Sequence, residues 1–487
     1  MAISKEQPLR PYVQALGDAV DSGDIFSVDA VQTFDTVAQM SAATWLKSGM
    51  TCHTNGFHTA GDGGSAYYTI GTTGTANGMD VLTCAGALIA TLVDTDAYVT
   101  PEQFGAYGDG THDDTANFIR ALTQFDVLKC NNTYAVQTIT LTGSMSAPKM
   151  VQGGLFTPLS DVCFELTNFG VLKDVAISRA SFPVTSEQSV GVLISGNYNI
   201  LEGVNVSRFR YGYVLHNSSN SGCAYNSIDG GIIYDCIQHI YMYNSGASWC
   251  NENTLIATTC RVSNSYKTHV ASQPDAVDIQ AMYAVTMYHE TATYNLNMNR
   301  FIGVSTEACY NGFMVEGGKN LFLSCSTEEN TISYNFAAVS ADDYRNYLIA
   351  PYDTDIESKI VRTSILSVEI FSITSSKVIP YLRQLAFDTS AHSVEPTFYV
   401  QLNTSSSTPA AERGIEVYAN SSKNMAFGAN FNYFSKRAYN FNTYAASLAS
   451  LKELSGLSDG AMFYASDLHK HVTHYGGKWW DESGTEV

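Results

Sequence analysis

From about Thr138 to Val339 the chain repeats itself, and this limits the fold more than any other feature. Short runs rich in Val, Ile, Leu and Phe recur, many introduced by Asn or Gly. They include Gly170–Ser178, Asn199–Ser207, Asn226–Ile228, Asn253–Ile256, Asn299–Ile302 and Asn320–Leu323. Successive members begin 21 to 29 residues apart, except where a segment from about Ser263 to Asn295 is inserted. A unit of that size cannot bury its apolar face alone, so units stack, and one period reads as one coil of a parallel β-helix. Alternation within each strand sends one residue to the core and the next to solvent. The outer face then carries a ladder of polar and aromatic side chains, suited to an extended ligand.

Composition agrees with stacked coils and excludes other classes. Of 487 residues, 45% are apolar and only 15% charged, which is too apolar for a disordered chain. Lys and Arg number 26 against 46 Asp and Glu, a net charge of −20, with no basic run. Such a surface repels a phosphate backbone, so a nucleic-acid partner is not expected. Uncharged polar residues must build most of the surface, which suits sugars or uncharged and cationic partners. No run of 18 apolar residues is present, so no membrane span is expected, and Met1–Pro8 lacks the apolar core of an export signal. Ten Cys are spread singly without metal-binding spacing and read as buried thiols. Neither a metal nor a cofactor is implied.

Along the chain, residues 1–30 read as a polar arm and 31–100 as a small β domain with glycine-punctuated strands near Gly49–Cys52, Gly61–Ile70 and Ala87–Leu92. Residues 101–345 hold the β-helix, opening with a Gly-Asp-Gly turn at 108–110. A helix from about Thr115 to Phe125 follows, with Phe118, Ile119, Leu122 and Phe125 expected on one face, able to cover the open end of the coil core. Asp113 or Asp114 is expected as its N-cap, in preference to a metal role beside His112. After about Ala341 the period fades. Residues 346–384 read as a connecting segment and 385–450 as a separate β domain for trimerisation or carbohydrate binding, with strands at Thr397–Val400 and Gly414–Tyr418. A tail covers 451–487.

The stretch Pro101–Thr115 with its helix resembles the opening motif of the pectate-lyase-like, right-handed parallel β-helix superfamily. Preceded by Gly61–Tyr68, it looks like a bacteriophage tailspike, and Gly460–Tyr464 with Lys478-Trp479-Trp480 resembles endings of phage tail proteins. The fold expected is therefore all-β: a right-handed parallel β-helix with a small N-terminal and a C-terminal β domain. The resemblance implies a homotrimer that binds, and usually cleaves, a bacterial capsular or O-antigen polysaccharide. It further implies assembly in the host cytoplasm, a place on the virion tail, and attachment through the N-terminal arm to the virion or another tail protein.

Glycoside hydrolysis needs two carboxyl groups flanking the scissile bond. Ser305-Thr306-Glu307 and Ser326-Thr327-Glu328 match at an interval of 21 residues, so Glu307 and Glu328 are the candidate acid and partner carboxylate. Solvated positions at coil corners are the alternative. The inserted segment supplies Asp275, Asp278, Tyr288, His289 and Glu290, of which Tyr288-His289-Glu290 could serve a β-eliminating lyase, with Arg300 or Lys267 neutralising a uronate. Trp249, Tyr241, Tyr243 and Tyr283 could offer flat surfaces for sugar rings, with core or general surface as the alternative for each. Asp229 and Asp235 could belong to the same groove as the Glu pair but read first as turn residues. The scarcity of basic residues favours hydrolysis over elimination.

Overall fold

The computed structural model describes residues 31–93, 98–183, 187–217, 222–245, 248–272, 282–289, 296–336 and 346–349. Beyond these it describes short strands and most of 477–487. Residues 1–30, read above as an attachment arm, lie outside the described residues. The chain divides into two compact units, Met1–Val277 and Asp278–Val487.

The first unit begins with a five-stranded sheet formed by Gln32–Phe34, Thr51–Thr54, Ala66–Gly71, Val81–Cys84 and Leu88–Val93. Its core is Met40, Met50, Cys52, Tyr68, Ile70, Leu82 and Ala90 among others. Pro101–Phe104 follows as a single 3₁₀ turn, capped by Thr100 and Gln103. The turn is tied back to the sheet by Thr100 Oγ1 donating to the Gly63 carbonyl (2.9 Å) and by Gln103 Nε2 donating to that of Ser65 (2.8 Å). The three carboxylates in and beside the next strand, Asp109–Asp113, serve nearby backbone amides. Asp109 accepts from the amides of Thr111 (2.8 Å) and His112 (3.0 Å), and Asp113 from that of Thr115 (3.0 Å).

Asp114 occupies the N-cap position but does not cap. It is buried, and it turns back to accept from the amides of Tyr107 (2.8 Å) and Gly108 (3.2 Å). Burial pushes its carboxyl above the usual range, although those two amides oppose the shift.

The helix spans Thr115–Gln124. Phe118 and Leu122 are buried, and Phe118 meets Tyr134 and Phe156 edge-on at 5.0 and 5.6 Å, so the helix does cover the end of the coil core. Ile119 is a correction to the expected face: it is 52% exposed. One residue is about 100° of helix turn, which carries it off the stripe held by 118, 121, 122 and 125. On the helix flank, Arg120 makes a bidentate pair with Asp80 of the N-terminal sheet region, both contacts 2.7 Å.

Coils of three short parallel strands then stack. One face holds Gly170–Lys173, Ile200–Glu202, Ser227–Asp229 and Thr254–Ile256. The second holds Ala176–Ser178, Asn205–Ser207, Ile232–Tyr234 and Thr259–Arg261. The third runs from Ile139–Thr142 through Val162–Asn168, Val190–Asn197 and Tyr211–Leu215 to Gln238–Asn244. The middle residue of each three-residue strand points inward. Leu172, Leu201, Ile228 and Leu255 thus form one buried column, and Ile177, Val206, Ile233 and Cys260 another.

At the corner before the first face sits a buried asparagine ladder. Asn226 Oδ1 accepts from the amide (2.9 Å) and Nδ2 (3.0 Å) of Asn199, while Asn253 Oδ1 accepts from the amide (3.1 Å) and Nδ2 (2.8 Å) of Asn226. Each side chain also donates to a carbonyl one coil back: Asn226 to Gly196 (3.0 Å) and Asn253 to Cys223 (3.1 Å). The residue before each asparagine is left-handed: Tyr198, Tyr225 and Glu252 have φ of 60, 59 and 58°. The sharp corner takes the backbone amides out of ladder register, and the side chains supply the missing partners.

The second unit is built alike. First-face strands Arg300–Ile302, Leu321–Leu323 and Asn346–Ile349 follow a second ladder, Asn299, Asn320 and Asn346. Tyr283–His289, Asn311–Val315 and Ile332–Phe336 pair in parallel on the third face. Inside, Phe301 stacks on Phe322 (4.8 Å) and Phe313 on Tyr334 (4.9 Å). The inserted segment is therefore not wholly a loop. It contains a helix, Asn264–Ser272, and a regular coil strand, Tyr283–His289. Parallel pairing also continues past 345, through Lys359–Arg362, Gln384–Phe387 and Val417–Ala419. The next first-face strand, Val368–Ile370, places Val368 in register with Asn346, so the asparagine that marks each coil start in the sequence is missing there. The expected strand Thr397–Val400 lies outside the described residues. Ala461–Ala465, Lys470–Tyr475 and Lys478–Asp481 form a terminal antiparallel sheet.

All ten cysteines are buried thiols outside any disulfide, and no described helix is long and apolar enough to cross a membrane.

Asn226→Ala is expected to remove about 3 kcal/mol or more of stability in chemical denaturation, because several buried groups lose partners at about 1–3 kcal/mol each. Burial would raise the Asp80 carboxyl, but hydrogen bonds from Arg120 and Asn77 outweigh it and hold it below the usual range. The stabilisation is then complete above the ordinary carboxylate value and lost as pH falls through the lowered one. Thermal melts across acid pH should show a flatter acid limb for Asp80→Asn.

Candidate functional site

Strands Ser305–Glu307 and Ser326–Glu328 pair in parallel with Ser305 beside Ser326, Thr306 beside Thr327 and Glu307 beside Glu328. The alternation fixes what each residue does. Thr306 and Thr327 are fully buried, and Asn330 donates to the carbonyl (2.9 Å) and hydroxyl (3.1 Å) of Thr306. The glutamates therefore project outward on neighbouring coils, Glu307 half-buried and Glu328 exposed, on strands about 4.8 Å apart. Ala308 (φ 61°) and Glu329 (φ 56°) close both strands with left-handed turns, and the Ala308 amide donates to the Glu328 carbonyl at 2.8 Å. This is the pairing that the 21-residue interval predicts. Two carboxyls fixed side by side on a rigid outer face can place one proton donor and one carboxylate against the same bond.

Arg300, the proposed uronate partner, lies on the outer side of its strand, in register with Leu321 and then Tyr347. These three, with Met298, Asn299 and Lys319, line a pocket of about 260 Å³. Lys319 and Tyr347 escaped the sequence reading. The available signal was the repeat itself, since each follows or precedes a ladder asparagine. Tyr288 ends the buried run of its strand and is 39% exposed. His289 is the last residue of that strand, while Asp275, Asp278 and Glu290 lie outside the described residues.

The remaining candidates belong to the first unit. Trp249, 39% exposed, pairs with Gly222, where any Cβ would collide with the indole Nε1. The ring thus lies over Gly222, where a larger residue would have to push the indole aside. Tyr241 stacks on Tyr243 at 5.7 Å on the third face. A further aromatic series escaped the sequence reading: Phe169, Tyr198 and Tyr225 stack coil on coil at 5.2 and 5.1 Å, outside the asparagine ladder. Tyr198 is covered on both faces, so it meets solvent by its edge and hydroxyl. A hydrogen bond to Glu252 raises the Tyr225 phenol above its ordinary value. Asp235 has the expected turn role: it is buried at φ 54° and accepts from the amide (2.7 Å) and hydroxyl (2.9 Å) of Ser263, ahead of the Asn264–Ser272 helix. Among the described residues, no group of three or more His, Cys, Asp or Glu is arranged to hold a metal ion.

These features define an all-β protein with the right-handed parallel β-helix of phage tailspikes. The tailspike protein gp49 of Acinetobacter baumannii bacteriophage Fri1, described as a capsular polysaccharide depolymerase, is similar with a TM-score of 0.51 and 13% identity. The match covers 71% of this chain and 67% of that one. The gp42 tailspike of Acinetobacter phage vb_AbaP_AS12 gives a TM-score of 0.47 at 10% identity, over 93% of this chain and 88% of that one. A GH87 α-1,3-glucanase from Streptomyces thermodiastaticus gives 0.43 at 12% identity, over 65% and 60%. At such identities the likeness is one of fold. No protein-family model matches the chain, and no curated protein matches it.

Gly222→Ala should displace Trp249 and shift its contribution to the intrinsic fluorescence, with a smaller change at Gly71→Ala, where an added Cβ meets nothing closer than 4.0 Å.

Proposed function

We propose that this chain is a phage tailspike depolymerase that binds a bacterial capsular or O-antigen polysaccharide and shortens it by hydrolysing a glycosidic bond. The observation that carries the reading is the in-register pair Glu307 and Glu328 on the outer face of a parallel β-helix. One carboxyl protonates the leaving oxygen, and the other attacks the anomeric carbon or activates water. An extended face of stacked coils suits a chain-like substrate, and the fold is shared with a tailspike described as a capsular polysaccharide depolymerase. In this reading the protein is a homotrimer on the virion tail, assembled in the host cytoplasm and joined through residues 1–30 to the virion or another tail protein. Trp249 presents its indole to a sugar ring, and residues 385–450 serve trimerisation or sugar binding.

A second reading, β-elimination from a uronate with Tyr288, His289, Glu290 and Asp278 as candidate acid–base groups, draws support from the exposure of Tyr288 and from Arg300 in its pocket.

Purified protein incubated with capsules from candidate hosts separates the readings. Hydrolysis gives new reducing ends without ultraviolet absorbance, elimination gives absorbing unsaturated ends, and a purely adhesive spike binds without shortening the polymer. Glu307→Gln and Glu328→Gln should each lower the rate by about 10²-fold or more while binding persists. Full activity in both variants would overturn the site.

A further inference from the structure

We infer that the pocket lined by Met298, Asn299, Arg300, Lys319, Leu321 and Tyr347 is a subsite for the carboxylate of an acidic sugar, so that the polymer recognised contains uronic acid or a comparable carboxylated residue. The assignment presupposes the polysaccharide reading of the chain and names its substrate class.

The argument starts from charge. Lys and Arg are 26 of 487 residues against 46 Asp and Glu, yet among the described residues that line the pocket two are cations and none is acidic. The coil geometry sets them around one depression. Arg300 begins a first-face strand in register with Leu321, and Tyr347 follows one coil on. Lys319 sits at the left-handed corner (φ 60°) just before ladder residue Asn320, as Met298 (φ 59°) does before Asn299. The asparagine ladder thus fixes the backbone from which both cations project.

The other lining groups suit a sugar. Leu321, Met298 (45% exposed) and Tyr347 (38% exposed) offer apolar surface to a pyranose face, while the guanidinium and ammonium offer charge-assisted donors to a carboxylate. A pocket of about 260 Å³ accommodates one sugar unit rather than a chain. The net charge of −20 does not forbid an anion here, because salt screens the chain's distant carboxylates beyond about 8 Å at physiological ionic strength, which leaves the two cations at contact range to set the local field.

The test uses the full chain with sodium D-glucuronate and sodium D-galacturonate as probes and methyl glucoside as the neutral comparison, read by saturation-transfer NMR. Transfer is expected to at least one uronate and not to the glycoside, weakening several-fold as salt rises from about 0.05 to about 0.5 M. The double variant Arg300→Gln/Lys319→Gln, at exposed positions and checked by an unchanged melting curve, should bind about tenfold more weakly or not at all. Equal transfer to the uronates and the glycoside, absence of transfer to both uronates, or salt-independent binding would overturn the assignment. Shortening of a capsule without uronate binding would sink the pocket and leave the depolymerase reading standing. Uronate binding with no capsule shortened would do the reverse.

Discussion

The fold rests on the asparagine ladders at the coil corners. A parallel coil must turn sharply between faces, and each turn interrupts the inter-strand hydrogen bonding of at least one buried amide. Leaving such a group unpaired costs about 1–3 kcal/mol, and the cost recurs at every coil. Asn199, Asn226 and Asn253 in one unit, and Asn299, Asn320 and Asn346 in the other, meet that demand with a side chain short enough to reach the next coil and able to donate and accept at once. Because the asparagine fixes the corner, it also fixes the strand that follows, and so which residues face outward.

The candidate chemistry inherits this rigidity. Glu307 and Glu328 are neighbours because Thr306 and Thr327 are locked inward and Asn330 ties Thr306 to the next coil. Arg300, Leu321 and Tyr347 form a column because each is the first residue after a ladder asparagine. Both features stand on strands rather than loops, which holds reacting groups and binding groups in fixed relation. The acidic bulk of the chain and a basic pocket are compatible for the same reason: local placement, not net charge, sets the field at contact. The preference for hydrolysis drawn from the shortage of basic residues loses force once Arg300 and Lys319 share a pocket, since both reactions are compatible with an acidic polymer.

The opening motif follows the same economy at the other end of the coils. Asp109 and Asp113 satisfy amides of the loop, buried Asp114 reaches back to Tyr107 and Gly108, and the helix sets Phe118 over Tyr134 and Phe156. What resembles a family signature in sequence is, physically, the set of residues needed to seal the first coil against water.

The sequence by itself determined the coil period, the inward and outward alternation, and the pairing of Glu307 with Glu328, because each depends on spacing along the chain and on one residue type recurring at one corner. It also carried the helix that seals the core, though not the exposure of Ile119 or the choice of Asp113 over Asp114 for the Thr115 amide. The tertiary structure alone decided that Lys319 and Tyr347 join Arg300 around one pocket, that Phe169, Tyr198 and Tyr225 stack face to face, and that Trp249 lies over Gly222. It also showed that the inserted segment contains an ordinary coil strand at Tyr283–His289 and that parallel pairing runs on past 345. Those facts depend on which coil lies next to which, and variable turn lengths hide that neighbourhood from a reading along one dimension.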